Sequence, residues 1–298
     1  MPEPLSIFAP AKINLFLHVT GKRGGGYHEL QSLVTFTDIG DEIGFAESKA
    51  LSFNIEGPYA EIFQKKDLSI EPNSGNLVIR ALWAYSNRTK IAPHLKITLQ
   101  KNLPLAAGIG GGSADAAAVL WGLQEFWQKP LKQDDLQKIM IELGADVPVC
   151  YACESSVVSG IGERLEPYMD FPEMPIVLVN PGKSCHTKDV FRFRKGPYGQ
   201  EVRMPLKFSG FKDFVAFLKQ QRNDLQQSAI QIVPEITNVL TALDYQGGCL
   251  LSRLSGSGAT CFGLFGDGTE AKEAERSIRK ENPDWWVKSG VINCVSRY

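Results

Sequence analysis

The spacing of apolar and polar positions divides the chain into extended and helical stretches. Residues 5–19, LSIFAPAKINLFLHV, read as extended, and residues 33–45, LVTFTDIGDEIGF, alternate with the period of a strand that buries one face. Residues 74–86, SGNLVIRALWAYS, repeat with helical spacing, with Ser74 as the expected N-cap. The segment 94–101, HLKITLQK, alternates as a half-buried strand and runs into a glycine-rich loop, after which ADAAAVLWGL reads as an apolar helix. A further helix over 131–144, LKQDDLQKIMIELG, ends at Gly144 as C-cap and leads into ADVPVC. Past residue 155 the pattern restarts with the strand MPIVLVN, helices near 211–221 and 234–243, the strand ATCFGLF and a helix from about 269. This mixture within each half predicts an α+β fold of two domains, 1–155 and 156–298, with no repeat, low-complexity tract or linker between them.

At 298 residues with 43% hydrophobic positions, the chain can bury a large core. Its formal net charge of -1 leaves no basic footprint for nucleic acid or an anionic membrane, so a small-molecule partner is expected. No run approaches the roughly 18 apolar residues of a membrane span, and the start MPEPLSIFAPAK has no basic leader, so the protein is expected in the cytoplasm. Six cysteines, at 150, 153, 185, 249, 261 and 294, are too scattered for a disulfide framework and read as free thiols. Cys150 and Cys153 have ligand-like spacing without a second pair, so no metal site is assigned. Monomer and homodimer are equally compatible with the sequence.

The chemistry concentrates at residues 108–112, where four of five positions are glycine and a helix follows at once. Backbone N–H groups converge on a phosphate only where side chains stay away and positive φ is available, and glycine permits both. The helix head adds unpaired N–H groups and the positive end of its dipole. No Lys-Ser or Lys-Thr pair ends the loop as in a Walker motif, and no acidic residue stands on a strand end where a dinucleotide fold needs one. A tight strand-to-helix turn is the plain alternative.

Three motifs in order, PAKINLFL at 10–17, PLAAGIGGGSADAA at 104–117 and LSGSGATCFGLF at 254–265, resemble the GHMP kinases, the superfamily of galactokinase, homoserine kinase and mevalonate kinase. GKRGGGYHEL at 21–30, GADVP at 144–148, GIGE at 160–163 and NDL at 223–225 narrow the resemblance. They point to the branch that phosphorylates a cytidine diphosphate-linked methylerythritol in non-mevalonate isoprenoid synthesis. Gly25 stands where that branch usually has aspartate, and Ile109 where leucine is common.

The resemblance implies an active site in the interdomain cleft. ATP, with magnesium as counter-charge, would lie along Pro104, Leu105, Ala106, Ala107, Gly108, Ile109, Gly110, Gly111, Gly112, Ser113 and Ala114. Asp146 would be the base and Lys12 its partner, stabilising charge on the transferred group. Taken alone, Asp146 also reads as a turn aspartate and Lys12 as an exposed lysine on an edge strand. Asn14, Tyr27, His28, Thr187 and Phe191 would hold the cytidine substrate, while His18, His94 and His186 read as surface or structural histidines. The glycine turn at 255–260 is expected to face the phosphate site. The alternatives are a homoserine- or mevalonate-type kinase, a non-catalytic nucleotide-binding module and, more distantly, a dinucleotide oxidoreductase.

Overall fold

A computed structural model describes residues 4–293, so Cys294 lies outside the described residues. The chain opens with two long strands, β1 (Leu5–Lys22) and β2 (His28–Glu47), then β3 (Ser52–Glu56), α1 (Leu77–Thr89), β4 (Leu95–Gln100) and α2 (Gly111–Phe126). There follow α3 (Gln133–Leu143), α4 (Val147–Ala152), β5 (Ser156–Gly160), β6 (Arg164–Pro167) and β7 (Met174–Asn180). The remainder is α5 (Thr187–Phe193), α6 (Phe211–Lys219), α7 (Gln226–Ile232), α8 (Glu235–Asp244), β8 (Cys249–Leu254), β9 (Cys261–Phe265), α9 (Gly268–Glu281) and β10 (Trp286–Ile292).

β2 is the spine of the molecule. It pairs antiparallel with β1 along its length, with β5 over residues 30–34 and with β4 over residues 42–47. β3 joins β4 in parallel and β6 joins β5. The strands β8, β9, β7 and β10 form an antiparallel set that meets β2 through the pair Ile292 and Thr37. Sheet membership changes between β6 and β7, since β5 pairs with β2 and β6 with β5.

The local reasons follow the pattern. Leu95, Ile97 and Leu99 of β4 are buried and Lys96 is exposed, as alternation requires. α2 is apolar on nearly all sides, with Ala114, Ala116, Ala117, Ala118, Val119 and Leu120 buried between the sheet and α1. The cap of α1 is Asn76 rather than Ser74. The Asn76 side chain accepts from the Val78 N–H at 3.0 Å, while Ser74 Oγ accepts from Asn76 N–H one step earlier. Gly144 ends α3 as expected, in an extended conformation (φ 161°) and not the left-handed one. Short helices α4, α5 and α7 were not legible, because each is only six or seven residues long and shows no full helical period.

A shared core locks the two parts together. Ile13, Leu15 and Phe16 of β1 pack in one cluster with Ile176 and Leu178 of β7 and with Phe262 and Leu264 of β9. Ile13 and Leu15 thus point into the core while Lys12 and Asn14 fall on the opposite face, toward a cleft, and the bulge between Asn14 and Phe16 breaks the alternation so that Phe16 also enters the core. Cys185 and Cys261 are buried free thiols. No helix among the described residues is long and apolar enough to cross a membrane.

Candidate active site

The cleft has a volume of about 1380 Å³ and is lined from both parts of the molecule. One small ligand usually fills roughly 300–1,000 Å³. There is room for two ligands.

Its floor is the turn from β4 to α2. Gly110, at φ +66°, is the residue ahead of α2, and no side chain caps the first turn, so the N–H groups at the helix head are left for a ligand. A Cβ on Gly110 would stand 3.1 Å from Lys12 Cβ, so a side chain there would crowd the lysine. Pro104, Leu105, Ala106, Ala107, Gly108, Gly110, Gly111, Gly112 and Ser113 line the cleft. Ile109 and Ala114 are buried in the core and fix the loop from behind.

The third glycine motif closes on this floor backbone to backbone. Ser255 Oγ accepts from Asn14 N–H at 3.1 Å and donates to the Gly108 carbonyl at 3.2 Å, and Thr260 N–H donates to the Ala107 carbonyl at 3.1 Å. Asn223 carries the turn from behind, its Nδ2 donating to the carbonyls of Leu254 and Gly256, both at 2.8 Å. Arg253, just before the turn, donates to the Leu15, Leu218 and Gln221 carbonyls. With no carboxylate beside it, burial brings its guanidinium down to about 10.

At the open side, Lys12 Nζ lies 3.1 Å from Asp146 Oδ2. The lysine side chain is 6% exposed and the aspartate 49%, so the cation is fixed while the carboxylate faces the cleft. β1 supplies the lysine, held by its own N–H to the Ile109 carbonyl at 2.9 Å, and Asp146 stands at the start of α4. Beside them Asn14 donates to Ser32 Oγ at 2.8 Å, and its Oδ1 is buried without a partner.

At the far end His28 and Phe191 stack with ring centroids 5.0 Å apart and planes 23° apart. Burial, then the charges of Lys22 and Arg194, lower the His28 pKa and keep the ring neutral near pH 7. Tyr27 is an exposed rim residue, and Tyr198, which sequence reasoning did not single out, lies 6.4 Å from His28. Thr187 meets Ser257 Oγ at 2.8 Å, tying α5 to the third glycine turn. His94 and His186 are exposed. His18 is buried, its Nε2 accepting from Arg222 N–H while Nδ1 has no partner, so it is structural but incompletely satisfied.

Sequence reasoning also missed a buried ionic triad under α2. Lys101 Nζ lies 2.5 Å from Asp41 Oδ2 and 2.7 Å from Asp115 Oδ2, and Asp41 Oδ1 takes the N–H groups of Asn102 and Leu103. One ammonium cannot neutralise two buried carboxylates, so burial and the neighbouring Asp41 push Asp115 up to about 7 despite Lys101. Burial pulls Lys101 down, but the two aspartates outweigh it and hold it above the usual lysine value. The signal was an acid inside GGGSADAAAVL, since a charge in an apolar helix needs a buried partner.

Comparison with known proteins gives this architecture its class. The GHMP kinases N terminal domain matches residues 76–154, and GHMP kinases C terminal matches residues 209–284. Fold and domain matches together define an ATP-dependent kinase of small molecules. The chain is 46% identical over 287 residues to 4-diphosphocytidyl-2-C-methyl-D-erythritol kinase of Cereibacter sphaeroides (strain ATCC 17029 / ATH 2.4.9), covering 94% of this chain and 96% of that one. It is 42% identical over 282 residues to the kinase of the same name from Rhizobium etli (strain CIAT 652), covering 94% and 92%. A crystal structure of 4-(cytidine 5'-diphospho)-2C-methyl-D-erythritol kinase superposes with a TM-score of 0.77 at 29% identity, covering 97% of this chain and 99% of that one. The chain belongs to the 4-diphosphocytidyl-2-C-methyl-D-erythritol kinase family of the GHMP kinases.

Proposed function

We propose that this chain transfers the γ-phosphoryl group of ATP to a hydroxyl of 4-diphosphocytidyl-2-C-methyl-D-erythritol, giving the 2-phosphate. One observation carries the reading: a single cleft holds the Lys12 and Asp146 pair 3.1 Å apart beside the glycine floor and the His28 and Phe191 stack at its other end. A homoserine- or mevalonate-type kinase has no use for that stack.

Each residue has a defined task. The uncapped head of α2 and the glycine loop fit the phosphates of ATP, since side chains on the floor would fill the space. Asp146 orients the acceptor hydroxyl toward the γ-phosphorus and takes its proton late, because an ordinary carboxylate is too weak a base to ionise an alcohol beforehand. Lys12 pairs with Asp146 and offsets charge on the transferred group. Asn14, on the cleft wall beside the pair, helps to position the acceptor, and neutral His28 meets the edge of the cytosine, with Phe191, Tyr27 and Thr187 around the nucleoside. Magnesium is expected as counter-charge to ATP. Among the described residues no group of three or more His, Cys, Asp or Glu side chains is arranged to hold it, and the charge relief from this chain itself comes from Lys12 and the loop N–H groups.

The test is ADP release with ATP and magnesium, comparing 4-diphosphocytidyl-2-C-methyl-D-erythritol, homoserine, mevalonate and no acceptor. Turnover confined to the cytidine compound is expected. Turnover with homoserine or mevalonate alone would overturn the substrate assignment.

A further inference from the structure

The geometry points to Arg23 as a positioning residue that clamps the turn carrying Tyr27 and His28 onto the turn between β5 and β6. This rests on the cytidine reading of the cleft and deepens it by assigning the residue that holds its nucleobase end in place. GKRGGGYHEL and GIGE, two motifs far apart in the chain, are joined by this one guanidinium. Arg23 Nε lies 2.9 Å from Glu29 Oε1, and its Nη1 lies 2.9 Å from Glu163 Oε1. The other oxygen of Glu163 accepts the Ile161 N–H at 2.5 Å, so that carboxylate is itself fixed. Glycines clear the space for both carboxylates. A Cβ on Gly21 would stand 2.8 Å from Glu29 Oε2, and one on Gly160 would overlap the Glu163 carboxylate, so a side chain at either position would push an acid off Arg23.

The turn needs such a clamp. Gly24, Gly25 and Gly26 follow Arg23, and a Cβ on Gly24 or Gly26 would meet nothing within 4 Å among the described residues. Three glycines in open space keep much of their unfolded freedom unless a neighbouring side chain pins them. Within the turn the Arg23 N–H donates to the Tyr27 carbonyl at 2.8 Å, and the guanidinium then ties the whole turn outward. The receiving turn is a firm support. Gly160 pairs with Leu30 in the sheet, and a Cβ on Gly162 would stand 3.7 Å from Ala145 Cβ, beside Asp146. Ile161 and Gly162 line the cleft together with Tyr27 and His28. A lone exposed ion pair adds little, and these side chains are 37–41% exposed. Here one planar fork is shared by two carboxylates, which fixes a geometry that a single pair would not. The clamp acts on where the turn sits more than on whether the chain folds.

The experiment measures cytidine binding by calorimetry, together with kcat, the KM values for the cytidine substrate and ATP, and the melting temperature. It compares wild type, Arg23→Ala, Glu163→Ala, their double variant and the exchanged pair Arg23→Glu with Glu163→Arg. Each alanine variant should weaken cytidine binding and raise the substrate KM by about three- to tenfold, the scale of a small exposed charge network. kcat, the KM for ATP and the melting temperature should stay close to wild type, a split that general loosening of the fold would not produce. The double variant should be no worse than the worse single one, because both remove the same clamp. The exchange again sets one cation between two carboxylates and should recover part of the loss. If wild type binds cytidine and the alanine variants bind it equally well, or their losses multiply in the double variant, the clamp is overturned while the cytidine reading stands. A matching loss of ATP affinity and melting temperature also overturns it. If wild type does not bind cytidine, the cytidine reading falls and the clamp with it.

Discussion

The carbonyl oxygen of Gly108 lies 2.7 Å from the position a Cβ on Gly256 would take. Two glycine turns more than a hundred residues apart therefore touch through bare backbone, and this contact shapes the phosphate floor. Gly256 also sits at φ +53°, a region that costs any L side chain. Gly256→Ala should lower unfolding stability by about 1–3 kcal/mol in urea titrations and weaken ATP binding, because the floor must move to admit the methyl group. Unchanged stability and ATP affinity would show that the two turns are not packed together.

His28 and Phe191, stacked at one end of the cleft, are proposed to hold the nucleobase. His28→Ala should raise the KM for the cytidine substrate by about tenfold and leave kcat and the KM for ATP within a small factor, the signature of lost uniform binding. The lowered pKa of His28 adds a pH signature. Its ring gains its proton only below the usual histidine value of 6.5, so any acid-dependent change in the substrate KM should be centred below that pH and be absent in the alanine variant. A substrate KM that the alanine variant leaves unmoved removes His28 from the base pocket.

Asp115 gives a stability prediction with a definite sign. Its carboxyl is raised from 3.8 to about 7 in the fold, so the fold favours the protonated form. The associated stabilisation is complete below the unfolded value and is lost as pH climbs from about 4 through about 7. Asp115→Asn removes this dependence while keeping the shape of the side chain. The melting temperature of wild type minus that of the variant should fall across the window and level off above it. A difference that is flat with pH contradicts the buried-proton account.

Much of this was legible in the residues, and the misses have physical causes. The alternation of HLKITLQK and the apolar run after GGGSADAA located β4, α2 and the loop between them. Lys12 and Asn14 could be placed on one face of a strand, but the partner of Asn14, Ser255, lies 241 residues away and that of Lys12, Asp146, lies 134 residues away, and no periodicity reports such contacts. The cap of α1 went to Asn76 instead of Ser74 because both residues carry capping groups and only backbone geometry separates them. The Lys101, Asp41 and Asp115 triad and the three-carbonyl grip of Arg253 join distant segments, so a charge needing a partner was visible while the partner was not. The return of β5 onto β2, with β6 beside β5, escaped for the same reason.

Whether Lys12 and Asp146, 3.1 Å apart, serve the chemical step is decided by a single-turnover measurement. ATP, magnesium and the cytidine substrate would be mixed with excess wild type or Asp146→Asn enzyme, with ATP affinity measured alongside. Phosphoryl transfer should be slower by about 10²–10⁴-fold in the variant, with ATP affinity nearly unchanged. Transfer at close to the wild-type rate would contradict it and return Asp146 to the role of a turn residue.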